Sequence, residues 1–174
     1  STDSGLAVPD WPLSYGTLFP PMVGGIRYEH GHRMIAGVVG LMIFILAGWL
    51  WKVEHRGGVR RLGYAAAGAV SLRALLGGLT VVWQLPPQIS IAHACLGHAV
   101  WCLIACLAYA LSPTFQAPSG TLGVEGAAVL RSSLIIAVIA AVQLLLGAII
   151  RHTGYAVGWH ALNAILLVGL SMRL

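Results

Sequence analysis

Glu29, His30, Gly31, His32 and Arg33 stand together at the entrance of a long apolar run. On a helix, Glu29 and His32 are one turn apart and share a face, separated by about 60°. His30 and His32 point to nearly opposite sides, so only one of them can join Glu29. A neutral imidazole is a good axial ligand for haem iron, and a carboxylate beside it could orient it or move protons. The same residues also read as an ordinary helix start. Glu29 then sits near the positive end of the helix dipole, and Arg33 snorkels to the interface.

A second candidate opens another apolar run, Ile91-Ala92-His93-Ala94-Cys95-Leu96-Gly97-His98. His93 and His98 lie roughly 140° apart around a helix, so one haem cannot use both. His93 falls at the same expected depth as His32, and His98 about 7 Å deeper. Two histidines at equal depth on different helices suit a bis-histidine haem held edge-on between them. Each equally fits a side chain that bonds a neighbouring carbonyl. His160-Ala161-Leu162-Asn163-Ala164 echoes His32-Arg33-Met34-Ile35-Ala36, and Arg73-Ala74-Leu75-Leu76-Gly77 echoes Gln143-Leu144-Leu145-Leu146-Gly147. These pairs point to one repeat and part of a second.

The elements that must carry these residues are membrane helices. Of 174 residues, 58% are hydrophobic and 9% charged, and the mean hydropathy is +0.85. Both proportions exclude an ordinary soluble enzyme, a disordered chain and a nucleic-acid module. Ten Lys and Arg stand against five Asp and Glu, but they lie between apolar runs, as orientation signals do. Five spans are expected, near residues 33–51, 62–83, 89–111, 130–150 and 157–172. Each approaches the ~20 residues that cross a hydrocarbon core, the last marginally. Lys52, Arg56, Arg60 and Arg61 make one connection strongly basic and so cytoplasmic. This puts residues 1–31, 84–88 and 151–158 outside, and with them His30, His32, His93, His152 and His160. Cys95, Cys102 and Cys106 share one face of a single helix and cannot bridge one another.

Thr2-Asp3-Ser4-Gly5-Leu6-Ala7-Val8-Pro9-Asp10-Trp11-Pro12-Leu13 resembles the loop after the first helix of haem A synthases. Glu29, His32 and Arg33 match that family's Glu-x-x-His-Arg signature. Leu75 to Val81, the His93 helix, and Gln143 to Thr153 are similar to its next elements. The resemblance implies two four-helix halves, each offering a histidine pair for haem, and oxidation of a methyl group of haem O to the formyl group of haem A. It implies His32 and His93 as the first-half iron ligands, Glu29 as the acidic residue tied to activity, Arg33 as a cofactor contact and His160 as one ligand of the second-half haem. Against the family pattern, Ala7 and Ser14 stand in the region of a frequent cysteine pair, Arg73 replaces a usual Gln, and Ala161 replaces an Arg.

The expected fold is thus an all-α integral membrane bundle of about five spans. It comprises a first half without its first helix (1–111), a cytoplasmic linker (112–130) and part of a second half (131–174), in a chain expected to be a fragment. The expected function is a haem-modifying oxidoreductase of the bacterial plasma membrane, with haem O as substrate, haem A as product and haem b as a possible resident cofactor. Outer Arg residues (Arg27, Arg33, Arg151) would meet propionates. Expected partners are the lipid bilayer and haem O synthase or oxidase assembly factors, and no nucleic acid. Two rival readings use the same histidines: an electron-transfer cytochrome that needs no Glu29, and a non-haem scaffold or transporter.

Overall fold

The structure, a computed structural model, describes residues 5–113, 115 and 123–173. It is built from five helices, α1 (Ile26–Val53), α2 (Gly57–Val82), α3 (Pro87–Leu111), α4 (Val124–Thr153) and α5 (Val157–Ser171). Among the described residues there is no named strand. The first four helices are long and apolar enough to cross a membrane, at about 38–45 Å of axial rise. α5, with 15 residues, rises about 22 Å and falls short of that length. The expectation of about five spans, the last marginal, is met by four long helices and one shorter one.

The chain divides into two compact units, Ser1–Phe115 and Gln116–Leu174. In the first, short connections fold α1, α2 and α3 antiparallel in succession. α2 packs against both α1 and α3, whereas α1 and α3 make no close backbone approach among the described residues. Two apolar clusters hold the three together through side chains. Leu50, Val59, Leu107 and Ala110 meet at the end carrying the α1–α2 connection, and Ile43, Ala66 and Val100 meet further along. Gly63 lets α2 come close to α1, since a Cβ there would lie 2.9 Å from a Leu50 methyl. The lipid-facing remainder of α1 is apolar and exposed, with Ile35, Val38, Leu41, Met42 and Ile45 outward, as a bundle in hydrocarbon requires.

α1 begins seven residues before its apolar run, because the polar stretch from Ile26 to His32 continues the helix out of the hydrocarbon. Pro87 occupies the first turn of α3, where its missing N–H costs nothing. In the second unit α4 ends on Gly154 in the left-handed conformation, φ 77°, and Ala156, φ 72°, starts α5. That three-residue reversal pairs α4 and α5 directly. Within the 112–130 linker, residues 114 and 116–122 lie outside the described set, as do residues 1–4.

The α1–α2 connection is held by Arg56, which donates to Glu54 at 2.7 Å and reaches the Ala110 carbonyl at the end of α3, 3.0 Å. Hydrogen bonds from Arg56 hold the Glu54 carboxyl well below its ordinary value, at about 2. A depressed carboxylate contributes stability in full above its ordinary value of 4.5 and loses it as pH falls through the folded one. The pair is solvent-exposed, so the effect is small. Detergent-solubilised protein should lose thermal stability between those two values more steeply than Glu54→Gln does; identical slopes would show that the pair contributes nothing.

Candidate functional site

The end of the first unit away from Arg56 carries the charged start of α1 and the segment before it. His32 stands six positions into α1 (32 minus 26) and His93 six positions into α3 (93 minus 87), each about 9 Å along its helix. The two imidazoles are within electrostatic range of one another and of Arg73 on α2. They stand on α1 and α3, the two helices that pack on either side of α2.

His93 is fixed by its surroundings. Its Nδ1 donates to the Arg73 carbonyl at 3.1 Å, because a carbonyl oxygen only accepts. Nε2 is then the unprotonated nitrogen, with its lone pair available. The ring lies against Gly77, where a Cβ would come within 3.0 Å of Cε1. A histidine that donates its second nitrogen to a backbone carbonyl has the outer-shell arrangement usual in metal ligation. His32 makes no hydrogen bond among the described residues and is exposed.

His30 turns the other way. It is buried, and its Nδ1 is hydrogen-bonded to Ser14 Oγ at 2.8 Å. Glu29 accepts from Arg33 at 2.6 Å and from the Val8 backbone N–H at 3.0 Å. Arg33 also donates to the carbonyls of Asp10, 2.7 Å, and Leu13, 2.6 Å. Glu29, His30 and Arg33 thus clamp the 5–14 segment onto the head of α1. Arg33 is engaged in that clamp, and Arg27 lies over the Tyr28 ring.

The clamped segment has its own local logic. Tyr15 and Gly16, both at positive φ (54° and 71°), make a two-residue turn closed by paired bonds between Ser14 and Thr17. The Asp10 carboxylate accepts from the N–H groups of both turn residues. These backbone bonds, that from Gly16 foremost, hold the Asp10 carboxyl below its ordinary value. Trp11 lies on Gly78 of α2, where a Cβ would stand 2.7 Å from the indole. Sequence reading passed over Trp11–Gly78 and Ser14–His30 as contacts. The signal was present in the Pro-Asp-Trp-Pro run, but pairings across such separations are not written in periodicity.

His98 is exposed and bonds within its own helix, to the Ala94 carbonyl at 3.0 Å, so it does not join His93. In the second unit, His160 packs on Gly147, Cε1 lying 3.3 Å from where a Cβ would be. This repeats the His93–Gly77 contact, with Gln143 in the place of Arg73. Here Gln143 Nε2 donates to His160 Nε2 at 3.1 Å, and Gln143 is held by Asn163, 2.8 Å, which also reaches the Ile139 carbonyl. The lone pair of His160 Nε2 is therefore engaged.

Among the described residues no three His, Cys, Asp or Glu side chains converge as a metal cage. The two imidazoles, on α1 and α3, could instead serve a metal carried in a planar macrocycle, which brings most of its own donors. The free Nε2 of His93 and the unbonded ring of His32 fit such a group.

The fold defines a helical, multi-span membrane protein. The chain belongs to the COX15-CtaA family of cytochrome oxidase assembly proteins, whose profile matches residues 26–169. It is 28% identical over 159 residues to the heme A synthase of Lysinibacillus sphaericus (strain C3-41), covering 87% of this chain and 50% of that protein. It is 27% identical over 149 residues to the heme A synthase of Geobacillus kaustophilus (strain HTA426), covering 82% and 46%. The Alkalihalophilus pseudofirmus heme A synthase is 37% identical over 86 residues, 48% of this chain and 29% of that one. The chain spans about half the length of the curated relatives that it matches along most of its own. No solved structure matches it. With these bacterial relatives, the long apolar helices make it a multi-pass protein of the bacterial plasma membrane.

Proposed function

We propose that this chain carries the first histidine pair of a haem A synthase-like enzyme, which oxidises the methyl group of haem O to the formyl group of haem A. The observation that carries this reading is His93: its Nδ1 is bonded to a backbone carbonyl and its Nε2 is left free, with the unbonded ring of His32 at the same level on α1. His32 and His93 would be the axial ligands, near the outer membrane face. Bound there, haem supplies the redox chemistry and the protein supplies ligation, orientation and proton handling.

Glu29 is the acid–base residue in this reading. Hydrogen leaving the methyl carbon releases protons, and Glu29, one turn before His32, is the carboxylate assigned to take one. Arg33 neutralises that carboxylate and orients it, while its bonds to Asp10 and Leu13 tie the same carboxylate to the outer segment. His160 enters a second site only once Gln143 releases its Nε2.

The test is haem extraction from membranes of cells that make haem O and express the full protein. Formyl haem that disappears with this protein supports the enzyme. Bound haem with unchanged haem O would make it an electron-transfer cytochrome. Purified protein with no Soret band would leave only the non-haem reading.

A further inference from the structure

Arg73 stands nine residues before the end of α2, about 14 Å of helix below the loop-side end and well inside the span. Its guanidinium lies against α3 at Gly97, where a Cβ would come within 2.8 Å of Nε and 3.2 Å of Nη2. Nε is buried without a hydrogen-bond partner. Among the described residues the ion pairs are Arg33–Glu29 and Arg56–Glu54, so no carboxylate neutralises Arg73.

A guanidinium cannot shed its proton in a protein. A charge held at membrane depth is costly and marks function. This one has a definite place beside His93: its backbone carbonyl holds the His93 ring, and its guanidinium packs on Gly97, one turn further along the same helix. Gly97 gives it room, and nothing on α2 or α3 cancels it.

We propose that Arg73 is a fixed cation that raises the reduction potential of the centre held between His32 and His93. This rests on the haem reading above. A haem with two neutral imidazoles carries one more positive charge when ferric than when ferrous. A nearby cation in a medium of low dielectric therefore disfavours the oxidised form by Coulomb repulsion. The second unit supplies an internal contrast, because the position matching Arg73 is the neutral Gln143.

The experiment is an optical redox titration of the haem-loaded full protein in detergent, comparing wild type with Arg73→Gln, Arg73→Met and Arg73→Lys. At the wild-type midpoint, the reduced-to-oxidised ratio in both neutral variants should fall about tenfold, a shift of about 59 mV for a one-electron couple. Arg73→Lys should stay within about threefold of wild type, since it keeps the charge. Arg73→Met provides a second neutral replacement should Arg73→Gln fail to assemble. Neutral variants with a normal Soret band and an unmoved potential would overturn the proposal. So would loss of haem from both neutral variants but not from Arg73→Lys, which would make Arg73 a retention residue. Wild type without a Soret band would overturn the haem reading itself, and this proposal with it.

Discussion

His93→Ala is expected to abolish the low-spin, six-coordinate haem spectrum completely, and His32→Ala to convert it to a five-coordinate form or abolish it. No neighbouring side chain can replace either. His98 lies on another face of α3 and bonds to the Ala94 carbonyl, and His30 is buried against Ser14. His98→Ala should therefore leave the spectrum unchanged, as should His30→Ala wherever the protein assembles. Optical and electron paramagnetic resonance spectra of the four purified variants settle the assignment. A low-spin signal surviving both His32→Ala and His93→Ala would move ligation to another histidine.

Glu29→Gln is expected to keep bound haem while formyl production falls by about 10²–10⁴-fold, the range for losing a general acid–base group. Glutamine keeps the size of the side chain, and its carbonyl can still accept from Val8 or from Arg33, but not from both with a full charge. A purely clamping role predicts something different: haem and turnover would fall together, with the 5–14 segment becoming open to proteases. Ser14→Ala separates the two. It breaks the bond to His30, costing about 0.5–1.5 kcal/mol, and leaves Glu29 intact, so product should persist. Normal haem A formation by Glu29→Gln would remove Glu29 from the chemistry.

Much of this was legible because membrane helices announce themselves. The apolar runs placed every helix centre, and the outer ends of the first and third runs put His32 and His93 at one level. The geometry of two residues per half-turn also forced His30 and His32 apart, though it could not say which would turn inward. Burial decided that: His30 found Ser14, sixteen residues away. The helix ends were less legible. α1 and α4 run beyond their apolar stretches, since a helix entering water need not stay hydrophobic. Arg73 was visible as a charge at depth, but not as the partner of Gly97, because helix-to-helix register depends on where small residues allow contact.

The contrast between the two imidazoles has a thermodynamic consequence. His93 loses its rotational freedom when the bundle folds, since Gly77 and the Arg73 carbonyl fix the ring before any ligand arrives. His32 has no such anchor and must be ordered at the moment of capture, a cost of about 0.5–1.5 kcal/mol for an immobilised side chain. In the haem reading, the two bonds to an incoming metal macrocycle would therefore be unequal. The first would form at a nitrogen that is already waiting, and the second at one that has to be recruited. The site would assemble from α3 towards α1, and the α1 side would be the one to yield to a competing small ligand.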